Sequence, residues 1–184
     1  MKTARWHLVA RVDRDDIVWT LDGDLEVSSS PAFQHELQLD PKLTIENASI
    51  EQDDVNRLSH WTRREDRLSL HLKTGLKGRQ SLRITAREAY QLGQPVRPPR
   101  INLLETAPDA RVERTLQIAH PRSVEVTVTD AELIAATAAP NQTEPTVVPI
   151  VTGSLYRLSP TNNSQFVVTP AQTEGLGWGL VEVE

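Results

Sequence analysis

Apolar and polar side chains alternate residue by residue in one short run of this sequence after another. The runs that show this alternation are ARWHLVARV, IVWTL, FQHELQL, RLSLHLK, SLRITA and SVEVTVTD. Successive side chains of a β-strand point to opposite faces, so each run presents one apolar and one polar face. Such strands form antiparallel sheets with one face packed inward. The sequence therefore predicts an all-β fold, an antiparallel β-sandwich.

The apolar positions of these runs define a predicted core. It comprises Leu37, Leu39, Ile45, Leu70, Leu72, Leu82, Ile84, Leu116, Ile118, Val124 and Val126. Signals for helix are restricted to DDVNRLSHW at 53–61, with an aspartate as a possible cap, and to DAELIAATAA at 130–139, which Pro140 stops. We expect at most one or two short helical turns.

Glycine and proline mark the predicted connections. The DGD sequence at 22–24 is typical of a tight hairpin turn, and TGLKG at 74–78 indicates a second reversal. The proline-rich segment 93–100 is expected to be an extended crossover between sheets, because proline removes a donor from a central strand.

Three segments are expected along the chain. Residues 1–134 form the sandwich domain, and 135–149, rich in Ala, Thr and Pro, form a linker or long exposed loop. Residues 150–184 contain three more strand-like runs. These runs either complete the first sandwich or begin a second unit, and we expect residues 1–134 to be able to fold without them.

Bulk properties exclude several classes of function. The chain has 184 residues, a net charge of −5 and no cysteine. Thiol catalysis, disulfides and cysteine-ligated zinc are therefore excluded. The acids and bases are mixed along the chain, which argues against a nucleic-acid partner.

No apolar run approaches the roughly 20 residues of a membrane-spanning helix. The opening MKTARWHLVARVD is not expected to be a signal peptide, because charges return soon after its apolar stretch.

Acidic residues surround the run IVWTL and raise the question of a calcium site. Asp13, Asp15 and Asp16 precede it, and Asp22, Asp24 and Glu26 follow it. An extended run of that length separates the two groups by roughly 16 Å, too far for one ion. We interpret Asp22 and Asp24 as hairpin-turn residues; Asp22, Asp24 and Glu26 remain the weak alternative of an ion site. No cofactor is predicted.

Histidine and tryptophan supply the remaining candidates. No two of the five histidines have the local spacing of metal ligands on a strand or helix. His35, on an apolar face, is interpreted as a histidine hydrogen-bonded to a backbone carbonyl, or as a strand-end residue near solvent. Trp6 and Trp19 share apolar faces and are assigned to the core. Trp61 and Trp178 are the candidates for an exposed glycan-binding surface.

No serine-hydrolase elbow, P-loop or dinucleotide fingerprint is present in the sequence, so we expect a protein that is not an enzyme. A hydrolase whose two acids come from separate strands remains a further alternative.

Residues 33–128 resemble a segment that recurs in very large extracytoplasmic proteins of planctomycete-type bacteria. The resemblance rests on a strand that ends near a proline in LDPKL, the tryptophan-containing SHWTRR, the leucine-alternating RLSLHLK, a glycine turn, SLRI and the later RPPRINLLE. It implies a non-catalytic β-sandwich segment of a long secreted or cell-envelope protein. Its partners would be neighbouring domains of the same chain, and possible external partners are protein or polysaccharide.

Overall fold

The computed structural model describes residues 2–104, 114–138, 151–158 and 163–171. Within these ranges all regular structure is β, which confirms the predicted fold class. The strands are β1 (Lys2–Val12), β2 (Asp16–Leu39), β3 (Thr44–Gln52), β4 (Val55–Asn56), β5 (Leu58–Arg64), β6 (Arg67–Ala89), β7 (Pro95–Val96), β8 (Ile101–Leu103), β9 (Arg114–Pro121), β10 (Val124–Thr129), β11 (Ala131–Ala138), β12 (Val151–Leu158) and β13 (Gln165–Pro170).

Two strands are far longer than the sequence runs suggested. β2 has 24 residues and β6 has 23, and they pair antiparallel along almost their full lengths. The register shifts between Val27 and Ala32, and the pairing resumes with Ala32 opposite Leu76. Each strand therefore consists of two arms joined at a bulge, and a bulge bends a strand and increases its twist.

The bend at this bulge folds the sheet over on itself. In register, His35 lies opposite Leu70, and Gln80 lies opposite Leu25. A straight strand would separate Leu25 from His35 by roughly 34 Å. Yet His35 Nε2 lies 2.8 Å from Gln80 Oε1, and both side chains are buried. The two arms must therefore face each other across the core, and this opposition creates the two layers of the sandwich-like fold.

The remaining strands extend these layers. The ten-stranded sheet has the order β11-β12-β9-β1-β2-β6-β3-β4, with β5 on β6 and β8 on β2. The contact between β1 and β9 is parallel. A second sheet has the order β10-β13-β7. β12 pairs with β9, and β13 pairs with β10 and β7, so both late strands lie in sheets built by earlier parts of the chain.

The predicted core residues lie where the alternation placed them. Buried members are Leu37, Leu39, Leu70, Leu72, Leu82, Ile84, Leu116 and Ile118, and Trp6 and Trp19 join them. Ile45, Val124 and Val126 are only partly buried against the same cluster. Phe166 and Val168 of β13 are completely buried, so the second sheet contributes directly to this core.

The predicted hairpin turn at 22–24 is wrong. Asp22, Gly23 and Asp24 lie in the middle of the first arm of β2, in register with His7, Trp6 and Arg5 of β1. The chain reverses earlier, where the backbone N–H of Asp13 donates to the carbonyl of Asp16 at 2.9 Å. Gly23 is required in the strand because the indole of Trp6 occupies the space of a Cβ.

The second predicted reversal is also wrong. Gly75 and Gly78 lie within β6, on either side of the register shift, and Gly78 has a φ of 89°. Both glycines therefore lie at the bend between the two arms, and at Gly78 the left-handed backbone conformation favours glycine.

Neither predicted helical segment is helical. Asp53 and Asp54, considered as helix caps, instead form a two-residue turn between β3 and β4 with φ values of 55° and 58°. Aspartate tolerates this left-handed conformation better than most residues. The segment 131–138 is β11 and pairs with β12.

The linker predicted over 135–149 begins inside β11, and residues 139–150 lie outside the described residues. No helix in the described part of the chain has the length and hydropathy needed to cross a bilayer.

Candidate functional site

A cleft with charged walls lies on the outer face of the large sheet. Its volume is about 420 Å³, and it crosses β9, β1, β2, β6 and β3. Side chains that line it include Arg5, His7, Asp22, Asp24, Glu51 and Arg83. We call this depression the sheet-face cleft. It includes two of the three acids considered as ion ligands.

Strand register explains why these side chains meet. One row runs Thr115, His7, Asp22, Arg83 and Ser49 across five neighbouring strands. A second row runs Arg5, Asp24, Ser81 and Glu51. Directly opposed residues of paired strands have their Cβ atoms about 5 Å apart on the same face, so opposite charges placed there attract one another. The alternation that buries Trp6 and Leu82 thus projects a charged row outward.

Both aspartates of the cleft bind arginines of β6. Arg83 Nε donates to Asp22 Oδ1 at 2.6 Å, and an Arg79 nitrogen donates to Asp24 Oδ2 at 3.2 Å. The hydrogen bond and charge of Asp22 raise the pKa of Arg83 above its ordinary value. Glu26 is exposed and lies opposite Arg79 in register.

The remaining titratable group in the first row is also hydrogen-bonded. His7 Nδ1 lies 2.8 Å from Thr115 Oγ1. Within the described ranges, no three His, Cys, Asp or Glu side chains converge as metal ligands. The cleft is therefore an array of cross-strand ion pairs, a geometry that suits recognition of polar groups better than proton transfer.

Sequence reasoning missed a buried carboxylate, Glu88, which lies beside the contact between the two sheets. Glu88 accepts a hydrogen bond from Trp19 Nε1 at 3.1 Å and forms an ion pair with Lys42 Nζ at 2.7 Å. Trp19 also makes an edge-to-face contact with Phe166, with ring centroids 6.1 Å apart. A buried carboxylate needs such partners to offset its lost hydration. The contacts indicate a structural role.

The two candidate tryptophans have different outcomes. Trp61 lies on β5, half-buried and packed against the core, so only part of its ring is available to a ligand. Trp178 lies outside the described residues. His35 is a buried, hydrogen-bonded histidine, although its observed partner is the amide of Gln80.

Pairing of β5 with β6 brings together two histidines that local spacing could not connect. His60 lies opposite His71, and their rings stack with centroids 4.4 Å apart and planes inclined by 13°. The two residues are equally far from the Glu65–Asp66 turn between β5 and β6. Recognition of that turn in the sequence would have predicted the pair.

Comparison with known proteins shows a similarity of fold and none of sequence family. No protein-family model matches the chain, and no curated protein matches it in sequence. Among solved structures, the M1 zinc metallopeptidase from Deinococcus radiodurans is similar, with a TM-score of 0.60 and 12% identity over 92% of this chain. A mutant of that enzyme gives a TM-score of 0.58 and 14% identity. This chain spans only 42% of each metallopeptidase chain.

Proposed function

We propose that this protein is a non-catalytic structural or interaction module of a larger secreted or cell-envelope protein. The observation that carries the proposal is the extent of the fold similarity, which covers 92% of this chain but only 42% of the larger metallopeptidase chain. A fold of this kind thus occurs as one part of a longer polypeptide. Its partners would be neighbouring domains of the same chain.

The chemistry of the sheet face supports a non-catalytic role. Catalytic carboxylates and histidines need a reactive group within hydrogen-bonding reach and a protonation state suited to the reaction. In the sheet-face cleft, Asp22 and Asp24 are paired with arginines, and His7 is hydrogen-bonded to Thr115. These contacts stabilise the polar face and present alternating charges to a partner.

Two measurements on the 184-residue chain test this proposal. Size-exclusion chromatography with light scattering should show a monomer, and thermal unfolding should be cooperative, since a module has its own core. Aminoacyl p-nitroanilides and a polysaccharide panel, each with and without added zinc, should show no hydrolysis above the protein-free control. Reproducible hydrolysis that Asp22→Asn abolishes would contradict the proposal.

A carbohydrate-binding module is the second candidate, favoured by the partial exposure of Trp61. Aromatic rings that keep one accessible face contact sugars through their apolar surface. Titration of the chain with soluble polysaccharides should then change the tryptophan fluorescence. Trp61→Ala and Trp178→Ala should each weaken that response, whereas a response that survives both substitutions would exclude these residues as the binding surface.

A further inference from the structure

The outer face of the hairpin formed by β5 and β6 carries the stacked pair His60 and His71. His60 is exposed and His71 is half-buried, so solvent reaches the pair. The backbone of His71 is held by buried neighbours, since Leu70 and Leu72 flank it and are buried in the core. The two imidazoles therefore stand on a well-anchored strand pair.

The dimensions of the pair suit a shared metal ion. Opposed residues of antiparallel strands have Cβ atoms 4.5–5.5 Å apart. Zinc binds histidine nitrogen at about 2.0–2.1 Å, so two ligating nitrogens stand roughly 3 Å apart. The rings stack with centroids 4.4 Å apart, and the lone pair of each imidazole lies in its own ring plane, so the stacked rings do not yet point at one ion. A tilt of each ring about its Cβ–Cγ bond, which exposed side chains make readily, turns both lone pairs toward one point.

A polar contact distinguishes the two ring nitrogens of His60. His60 Nδ1 lies 3.4 Å from Ser59 Oγ. A hydrogen bond at one nitrogen of a metal-binding histidine fixes which nitrogen faces the metal. In the proposed site, Nδ1 of His60 keeps this contact and Nε2 is the metal ligand.

We propose that His60 and His71 form a two-histidine site for a borderline transition-metal ion, namely Zn²⁺, Ni²⁺ or Cu²⁺. Imidazole ligands suit these ions, and thiolate-selective metals are not favoured by a pair without sulfur. Water, or a ligand from a partner molecule, completes the coordination. The ion bridges β5 to β6. β5 is already held by its pairing with β6 and by hydrogen bonds from Arg63 to the carbonyls of Asp40 and Leu43, so the ion would add a further link between β5 and β6.

The test uses the full chain prepared without a polyhistidine tag. Isothermal titration with Zn²⁺ should give one site, and the protein should be retained on immobilised Ni²⁺. His60→Gln and His71→Gln should each weaken zinc binding at least tenfold and abolish retention. Added zinc should raise the melting temperature of the wild type but of neither variant. The site is independent of the proposed module function, because none of these readouts involves a partner domain.

Matched controls are His7→Gln and His120→Gln, which remove histidines that bind Thr115 and the Pro121 carbonyl instead. Both should bind zinc as the wild type does. Metal-free melting curves must show that His60→Gln and His71→Gln remain folded, and a second pair, His60→Asn and His71→Asn, replaces any variant that does not. Equal zinc affinity in the wild type and the folded hairpin variants would overturn the site, as would a loss caused by either control.

Discussion

Trp6 and Gly23 lie opposite each other on β1 and β2, and the indole fills the space that any larger residue at position 23 would need. A Cβ built on Gly23 would lie 2.4 Å from Cζ3 of Trp6 and within 3 Å of two further ring atoms. The indole itself is 2% exposed and surrounded by core residues, so it has little freedom to withdraw. The glycine is thus a packing requirement of the strand and not a turn signal.

Gly23→Ala should lower the free energy of unfolding by about 1–3 kcal/mol, the usual cost of overpacking a filled core. Gly75→Ala is the matched control. Its Cβ would also lie 2.8 Å from a ring atom, but that ring belongs to Phe33, which is 69% exposed and can move into solvent. Urea denaturation of both variants measures the difference. A loss at Gly75 equal to that at Gly23 would contradict the packing argument.

His35 and Gln80 should be energetically coupled, because they form a polar contact between the two layers inside an apolar core. Gln80→Leu removes the hydrogen bond between Gln80 and the buried ring of His35, which should lower the free energy of unfolding by about 1–3 kcal/mol. His35→Leu combined with Gln80→Leu should cost less than the sum of the single changes. A double-mutant cycle in urea should give a coupling energy of about 0.5–3 kcal/mol. Additive effects would show that the contact contributes nothing.

Calcium should leave the melting temperature almost unchanged, because Asp22 and Asp24 already bind arginines. Occupancy at a hundred times the dissociation constant would add about 2.7 kcal/mol, an effect easily seen by differential scanning fluorimetry. Asp22→Asn should cost less than about 1 kcal/mol, as expected for an exposed ion pair. A rise of several degrees in millimolar calcium that Asp22→Asn and Asp24→Asn remove would establish the ion site instead.

Tyr90 should ionise at a higher pH than a free tyrosine. Burial, followed by the charges of Asp15 and Asp13, raises the pKa of its phenol, and the hydroxyl donates to the Asp13 carbonyl at 3.1 Å. The neutral phenol is favoured in the folded state, so its contribution to stability is complete below the ordinary pKa near 10 and is lost as the pH rises through the folded-state value. Ultraviolet titration should show a late tyrosine transition that Tyr90→Phe removes. A transition at the ordinary pKa would refute this assignment.

A fragment that ends at residue 134 should not fold cooperatively. It lacks β12, which covers the edge of β9, and β13, whose Phe166 and Val168 are completely buried. Exposed strand edges and missing core side chains favour association. Light scattering and thermal unfolding of the fragment measure this outcome. A monomeric fragment with a sharp transition would show that the late strands are dispensable, in agreement with the independent folding expected from sequence.

Local patterns predicted the strands and most of the core, because side-chain alternation depends only on near neighbours in sequence. Leu70 and Ile84 are buried as the pattern requires. The same patterns misplaced the turns, because an Asp-Gly-Asp sequence is typical of a reversal when nothing reveals that Trp6 lies across from it. The choice between turn and strand depended on a residue from another strand.

Pairing between strands also determined the structure of a segment with helical composition. Residues 131–138 have helix-forming side chains, yet their backbone bonds to β12, and sheet pairing overrides a weak intrinsic preference. Prediction of the polar sites also required the register between paired strands. Alternation placed His71 on a wet face, but only the pairing of β5 with β6 identified His60 as its neighbour. Likewise, the ion pairs of Asp22 and Asp24 depend on how β2 is aligned with β6.

The continuity of β2 and β6 through both layers affects how the protein opens and how it bears load. Each layer contains one arm of β2 and one arm of β6. One layer therefore cannot unfold without disturbing strands that also belong to the other layer. Slowly exchanging amide protons should therefore occur in both arms and report one cooperative opening. Pairs such as Asp16 with Ala89 join residues distant in sequence, so folding should be slow. Force applied to one layer would pass along β2 and β6 into the other layer. The two layers of the described fold would therefore resist the force together and would not move as separate units.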